Sequence, residues 1–374
     1  MGRGRGGAGL RAAAAAVAVA AGVAGLAACS PEEEPAVPPT VSSSTAAPPG
    51  STAPTAPTTP SSAPPPTATP AVRTGVPWHL DRLDQRTGPL DGRFTAATDG
   101  TGVRVYVLDT GLDLKHAEFG GRAVLGADFV GDPDAGDCYD GGGLGHGTFV
   151  AGVIAGRTHG VAPGAELVRV QAIACEEGSG PGARRDAGPP AGPTAEAAVI
   201  RAVEWVAAHA RRPAVVNMSL NLAERSAALD AAVERLIASG IPVVVSAGNF
   251  ADDACAHSPA GARGAIVVAA STRDDRHWTD GGSHGSGHGS CVDLYAPGAE
   301  ITSALAGAGT ATADAAATSW AAPHATGAAA LHLAAHPTAT PAEVRAALLG
   351  RAVRGALGGV PAGTPNRLLH TKGL

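Results

Sequence analysis

Residues 103–111 read VRVYVLDTG. Apolar residues recur at every second position from Val103 to Val107, the period of an extended strand, and the run stops at a polar Asp109-Thr110-Gly111 turn. Similar runs follow at 166–173 (ELVRVQAI), 214–220 (AVVNMSL), 241–247 (IPVVVSA) and 265–270 (AIVVAA). Between and after them lie segments with helical spacing, at 148–155, 195–210, 226–239, 319–335 and 341–353. Short apolar strands alternating with helices predict an α/β fold of three layers, with a mostly parallel central sheet flanked by helices. In such sheets ligands bind beyond the carboxyl ends of the strands.

Four polar residues map to that edge. Asp109 ends the first strand, Asn249 follows another, and His146 and Ser319 each open a helix. Taken alone, a serine at a helix start is a cap. In this company it fits a different chemistry. A serine hydroxyl is a weak nucleophile until a base removes its proton. Histidine suits that role because its pKa lies near working pH. A carboxylate on the far ring nitrogen holds the imidazole tautomer and stabilises the imidazolium. The oxyanion that forms needs donors already in place, and a helix N-terminal N–H at Ser319 with the Asn249 amide would supply them.

The 374-residue chain carries a net charge of −6 and no basic run beyond its first residues, which argues against nucleic acid as a partner. Charged residues are few (16%) and glycines many (52), as suits a tightly turned enzyme. Residues 1–11 hold three arginines, and 12–28 form an uncharged run too short and too weakly apolar for a membrane span, so 1–28 reads as a signal peptide. Leu26-Ala27-Ala28-Cys29 resembles the lipobox of bacterial lipoproteins, which implies lipidation of Cys29; several acyl chains there would anchor the protein stably to a membrane. Residues 29–75 are rich in Pro, Ser, Thr and Ala and read as a disordered tether, leaving 76–374 as the folded domain. The expected location is the extracytoplasmic face of the cell membrane, with release as a secreted protein the other route. Four further cysteines, Cys138, Cys175, Cys255 and Cys291, suggest two disulfides, and three pairings are open. A zinc site is the rival, disfavoured because no CxxC pair exists.

The segments Asp109-Thr110-Gly111, 146–152 (HGTFVAG) and 318–324 (TSWAAPH) resemble the three signatures of the subtilases, in the family's order of Asp, His and Ser. The segments PWHLDRLDQR (77–86), NMSL (217–220), SCVDL (290–294) and PNRLL (365–369) resemble the proteinase K and aqualysin branch. The resemblance covers most of 76–374 and implies a subtilisin-like serine endopeptidase of the three-layer fold. Asp109, His146 and Ser319 would form its triad and Asn249 an oxyanion donor. It implies polypeptide substrates, bound as an added strand at Ser219, Leu220 and Asn221 beside Ala247 and Gly248. It also implies the pairings Cys138–Cys175 and Cys255–Cys291, each closing a loop of roughly 36 residues, worth about 3–4 kcal/mol in the chain-entropy model. No cofactor is required for the chemistry, and the protein reads as a monomer. The branch's Ca²⁺-binding aspartate falls on Asp293, with carbonyls expected near Arg263 and Ala265.

The chain departs from the family pattern in places. Asn221-Leu222 stand where a Gly-Gly pair is expected, and the leucine should fill part of the cleft. Asparagine is the best substitute if that position needs a positive φ. Ala317 replaces a glycine, Trp320 replaces a methionine, and only the polar tether stands where a globular pro-segment is expected. These changes keep a second reading open, that of a catalytically weak or inactive subtilase-fold module that binds peptides at the cell surface. Residues 178–193 read as an inserted Gly/Pro/Arg-rich loop near the substrate entrance. His284 and His288 lie in a Gly/Ser loop that reads as solvated, and His324, His332 and His336 as packing residues.

Overall fold

The computed structural model describes residues 71–131, 136–137, 144–174, 193–307, 309–313 and 315–374. Its strands begin with β1 (Ala71–Thr74), β2 (Arg93–Ala96), β3 (Arg104–Asp109), β4 (Ala123–Asp128), β5 (Glu166–Gln171), β6 (Ala214–Met218) and β7 (Val243–Ser246). They continue with β8 (Ile266–Ser271), β9 (Leu294–Pro297), β10 (Thr302–Ala304), β11 (Thr310–Thr312), β12 (Val353–Arg354) and β13 (Arg367–Leu368). The α-helices are α1 (Trp78–Leu83), α2 (His146–Ala155), α3 (Pro193–His209), α4 (Ala227–Ala238), α5 (Thr318–Ala335) and α6 (Pro341–Arg351).

One sheet orders its strands β12-β13-β9-β8-β7-β6-β3-β5-β4. Every neighbouring pair is parallel except β12 with β13. Alternation along a strand sends successive side chains to opposite faces, and both faces are covered. Val105 and Val107 of β3 join a core with α2 and α5, through residues such as Phe149, Ile154, Ala325 and Leu331. Tyr106 and Leu108 join a second core with α3 and α4, through Val199, Val203, Leu229 and Val233. This is the expected three-layer α/β architecture. It also explains why β7 and β8 read as continuous apolar runs: they are buried on both sides.

The winding reverses at β3. The chain goes outward from β3 to β4, returns through β5 beside β3, and then crosses to β6 on the other side. The crevice at such a reversal is where open sheets place ligands, and Asp109 stands at its lip. Three of the predicted strands prove shorter at their carboxyl ends than the sequence suggests: β5 ends at Gln171, β6 at Met218 and β7 at Ser246. Beyond the Met218/Val245 pair, residues 219–222 and 247–249 leave the β6–β7 ladder, with Gly248 at φ 91°, and this parting makes the cleft. Within the stretch read as tether, Ala71–Thr74 pair antiparallel with Arg93–Thr95 and Ala96 of β2. Arg73 secures that strand, donating to the Gly160 carbonyl at 2.6 Å and lying 4.9 Å over the Phe94 ring. Residues 1–70, Cys138, Cys175 and most of the inserted 178–193 loop lie outside the described residues. Cys255 and Cys291 are joined by a disulfide, with a Cα–Cα distance of 5.4 Å.

Candidate active site

Asp109, the last residue of β3, is fully buried. Its Oδ1 accepts from the Thr110 N–H at 2.8 Å and lies 2.6 Å from His146 Nδ1. His146 reaches it because α2 starts there. Gly145 precedes the helix at φ 69°, and Gly147 packs so closely on the preceding loop that a β-carbon would stand 2.0 Å from the Gly111 carbonyl oxygen. The glycines of the Asp-Thr-Gly and His-Gly-Thr motifs are thus a steric condition for the contact between Asp109 and His146.

A carboxylate that the sequence reading did not single out ties these segments together. Asp137 Oδ2 accepts the Thr148 N–H at 2.6 Å, at the amino end of α2, and its Oδ1 accepts the Thr110 hydroxyl at 2.8 Å. Burial pushes its carboxyl up to about 6, and the charge of Asp109 adds to that, against the hydrogen bonds from Thr148 and Thr110. Lying in a Gly/Asp-rich stretch without periodicity, Asp137 carries no signal of this role in the sequence.

Ser319 is the second residue of α5 and nearly buried. Its hydroxyl donates to the Ser219 carbonyl at 3.1 Å, and the Ser219 hydroxyl donates back to the Ser319 carbonyl at 2.9 Å. Trp320, next in the chain, brings the first turn of α5 against the imidazole. Its ring centroid lies 5.0 Å from that of His146 and 4.5 Å from that of Phe149, and its Nε1 donates to the Ala315 carbonyl at 3.0 Å. The large side chain is therefore absorbed by packing on α2 and does not crowd Ser319. Asn249 Oδ1 accepts from both the Thr318 N–H at 2.9 Å and the Thr318 hydroxyl at 2.7 Å. With the oxygen committed, the NH₂ is the end of the amide left to a substrate carbonyl, beside the N-terminal N–H groups of α5. The site thus brings Asp109, His146, Ser319 and Asn249 to one edge of the sheet. That arrangement can activate a hydroxyl, hold an oxyanion and relay one proton.

The expected substrate-binding residues flank the same edge. Ser219, Leu220 and Asn221 follow β6, and Ala247 and Gly248 follow β7. The two departures at 221 and 222 behave differently from expectation. Leu222 packs partly against the core of the α3/α4 face, and its N–H bonds the Ser258 carbonyl at 2.8 Å. Asn221 has no positive φ, so the backbone here does not need a glycine. Its side chain, not that of the leucine, lies at the cleft.

The surroundings of Asp293 do not fit the Ca²⁺ reading. The carboxylate is buried, and the Arg345 guanidinium of α6 grips it with both ends, Nη2 on Oδ1 and Nε on Oδ2. The Val267 N–H also donates to Oδ2, at 3.2 Å. A divalent cation at this carboxylate would face a fixed positive charge. Among the described residues no group of three or more His, Cys, Asp or Glu side chains is placed to hold a metal. An Arg345→Met variant should lose about 2 kcal/mol in thermal or denaturant unfolding, because it strands a buried carboxylate. An Arg345→Met stability within about 0.5 kcal/mol of wild type would contradict this assignment.

The subtilase family model (Peptidase_S8) matches residues 100–373. An extracellular serine proteinase of Thermus sp. (strain Rt41A) is 45% identical over 302 residues, covering 80% of this chain and 67% of that protein. Alkaline serine exoprotease A of Vibrio alginolyticus is 42% identical over 302 residues, covering 80% of this chain and 51% of its own length. The chain thus spans between about half and two thirds of these relatives. Among solved structures, that of a cold-adapted subtilisin-like serine proteinase superposes with a TM-score of 0.69 at 40% identity, over 80% of this chain and 99% of that one.

Proposed function

The chain belongs to the subtilase family, and on that premise we propose that it is an exported serine endopeptidase that hydrolyses peptide bonds through Asp109, His146 and Ser319. The observation that carries the proposal is the 2.6 Å contact of His146 Nδ1 with buried Asp109, at the sheet edge where α5 presents Ser319. In the mechanism, His146 takes the Ser319 proton as Oγ attacks the substrate carbonyl. Asp109 holds the imidazole with Nδ1–H inward, so that Nε2 is the basic nitrogen, and it stabilises the imidazolium. The Asn249 NH₂ and the Ser319 N–H receive the oxyanion. His146 then donates its proton to the leaving amine, and water repeats the sequence on the acyl-enzyme.

The test is labelling with a fluorophosphonate probe. The wild-type protein should be labelled and Ser319→Ala should not. A folded wild-type protein that resists the probe would overturn the proposal and leave the peptide-binding module as the reading. Export rests on the sequence of 1–28 and agrees with the extracellular relative. Membrane anchoring by a lipid on Cys29, with 29–75 as tether, rests on Leu26-Ala27-Ala28-Cys29. Cell fractionation checks it: Cys29→Ser should move the protein from the membrane fraction to the medium, and an unchanged distribution would refute the anchor.

A further inference from the structure

Strands β6 and β7 run side by side up to the Met218/Val245 pair. Beyond it their continuations flank a gap, with Ser219–Leu222 on one side and Ala247–Asn249 on the other. Ser319 opens at the mouth of this gap, against the Ser219 carbonyl, and Asn249 ends the opposite wall. A peptide whose scissile carbonyl lies between Ser319 Oγ and the Asn249 amide delivers the side chain just before the scissile bond, P1, into that gap.

Asn221 lies across it. Its NH₂ donates to the Ser246 carbonyl at 2.9 Å, and its Oδ1 accepts the Ser246 hydroxyl at 2.6 Å. Both ends of the amide are used and the residue is 8% exposed. Swinging it aside would unpair the buried amide and leave the Ser246 hydroxyl only its longer, 3.4 Å bond to the Leu220 carbonyl, so it does not yield readily to an incoming side chain. The opposite wall is as tight. A β-carbon on Gly248 would stand 3.7 Å from Asn221 Cγ and 3.2 Å from the Phe250 ring. Phe250 is backed by His257, stacked at 4.4 Å between centroids, and His257 is held by Asp252 at 2.8 Å. The gap is therefore crossed by a fixed amide, and its opposite wall carries Phe250, partly exposed and braced on His257.

We propose that Asn221 is a specificity-determining residue that restricts P1 to small side chains, those of glycine, alanine and serine, and excludes aromatic and long aliphatic ones. This rests on the endopeptidase reading above and names its substrate class. A larger P1 group would have to break the Asn221–Ser246 bridge before its carbonyl reached the oxyanion donors, so the cost falls on the transition state as well as on binding.

Two chromogenic peptides that differ only in P1, alanine against phenylalanine, test the proposal on the purified protein. The wild type should favour alanine in kcat/KM by about 10-fold or more, and Asn221→Gly should shift the ratio toward phenylalanine by about 10- to 100-fold. Ser246→Ala removes one of the two bridges and should shift the ratio the same way by less. A wild type that prefers phenylalanine overturns the proposal. So does a ratio that folded Asn221→Gly and Ser246→Ala leave within about two-fold of wild type. Fluorophosphonate labelling separates the failures. A labelled protein with the wrong P1 ratio sinks this inference alone, whereas an unlabelled one sinks the endopeptidase reading with it.

Discussion

Replacing Ser319 by alanine is expected to lower kcat by about 10⁶-fold and to leave KM within about three-fold, the pattern of a nucleophile whose partners act as a unit with it. The substitution removes one oxygen from a position where the rest of the fold is indifferent to it. The Ser319 hydroxyl makes a single described hydrogen bond, to the Ser219 carbonyl, and α5 is fixed by apolar packing along its whole length, from Ala321 to Leu333. Stability should therefore be close to wild type, and what remains of activity should be the contribution of the oxyanion donors and substrate positioning. Single-turnover hydrolysis of a P1-alanine peptide measures it. A loss below about 10³-fold would mean that bond cleavage bypasses Ser319 and that the triad reading is wrong.

Asp109→Asn is the second large effect, about 10⁴-fold in kcat. The change is nearly isosteric, so it tests charge and hydrogen-bond polarity more than shape. In the wild type, Asp109 Oδ1 accepts from Thr110 N–H and faces His146 Nδ1 at 2.6 Å. Both contacts fall on the same oxygen, so an amide has two poses. With its oxygen in the Oδ1 place it still accepts from Thr110 N–H and His146 Nδ1–H, and what is lost is the buried negative charge that stabilises the imidazolium. With its NH₂ there it faces Nδ1 and drives the imidazole proton onto Nε2, the nitrogen that must accept from Ser319. KM should change little, since Asp109 is fully buried and touches no substrate. A loss of less than ten-fold would show that another group sets the tautomer. Asp137 is the neighbour to suspect, through Thr110.

Much of the fold was legible because the signals that make it are local. Strand alternation at 103–109, helical spacing at 195–210 and 226–239, and turn residues between them are properties of short windows. Helix α4 shows the same economy, with Ser226 capping it through the Leu229 N–H and Gly240 at φ 97° closing it. The strand ends were less legible. Residues 219–220 and 247 continue the apolar pattern of β6 and β7 yet leave the ladder, because the cleft requires the two strands to part where the pattern says nothing. β1 was missed for a related reason. A four-residue strand at the end of a Pro/Ala/Thr-rich run is made by its partner β2 and by the Gly160 carbonyl that Arg73 reaches, neither of which is adjacent in sequence.

The sequence by itself determined the layered α/β architecture, the family, and the identity of the four groups that meet at the sheet edge, since serine, histidine, carboxylate and amide each sit in a motif a few residues long. The tertiary structure decided what the ambiguous side chains do. Asn221 could have lined or filled the cleft; its amide finds Ser246, 25 residues on, and crosses it. Asp293 read as a cation ligand; Arg345, 52 residues on, is its cation. Trp320 stands where the family pattern has a methionine; Phe149 and His146 of α2 absorb it. The physical reason is the same in each case. A hydrogen bond, an ion pair or a ring contact is satisfied by whatever partner the fold brings within a few ångströms, and that partner is chosen by chain topology and not by sequence neighbourhood.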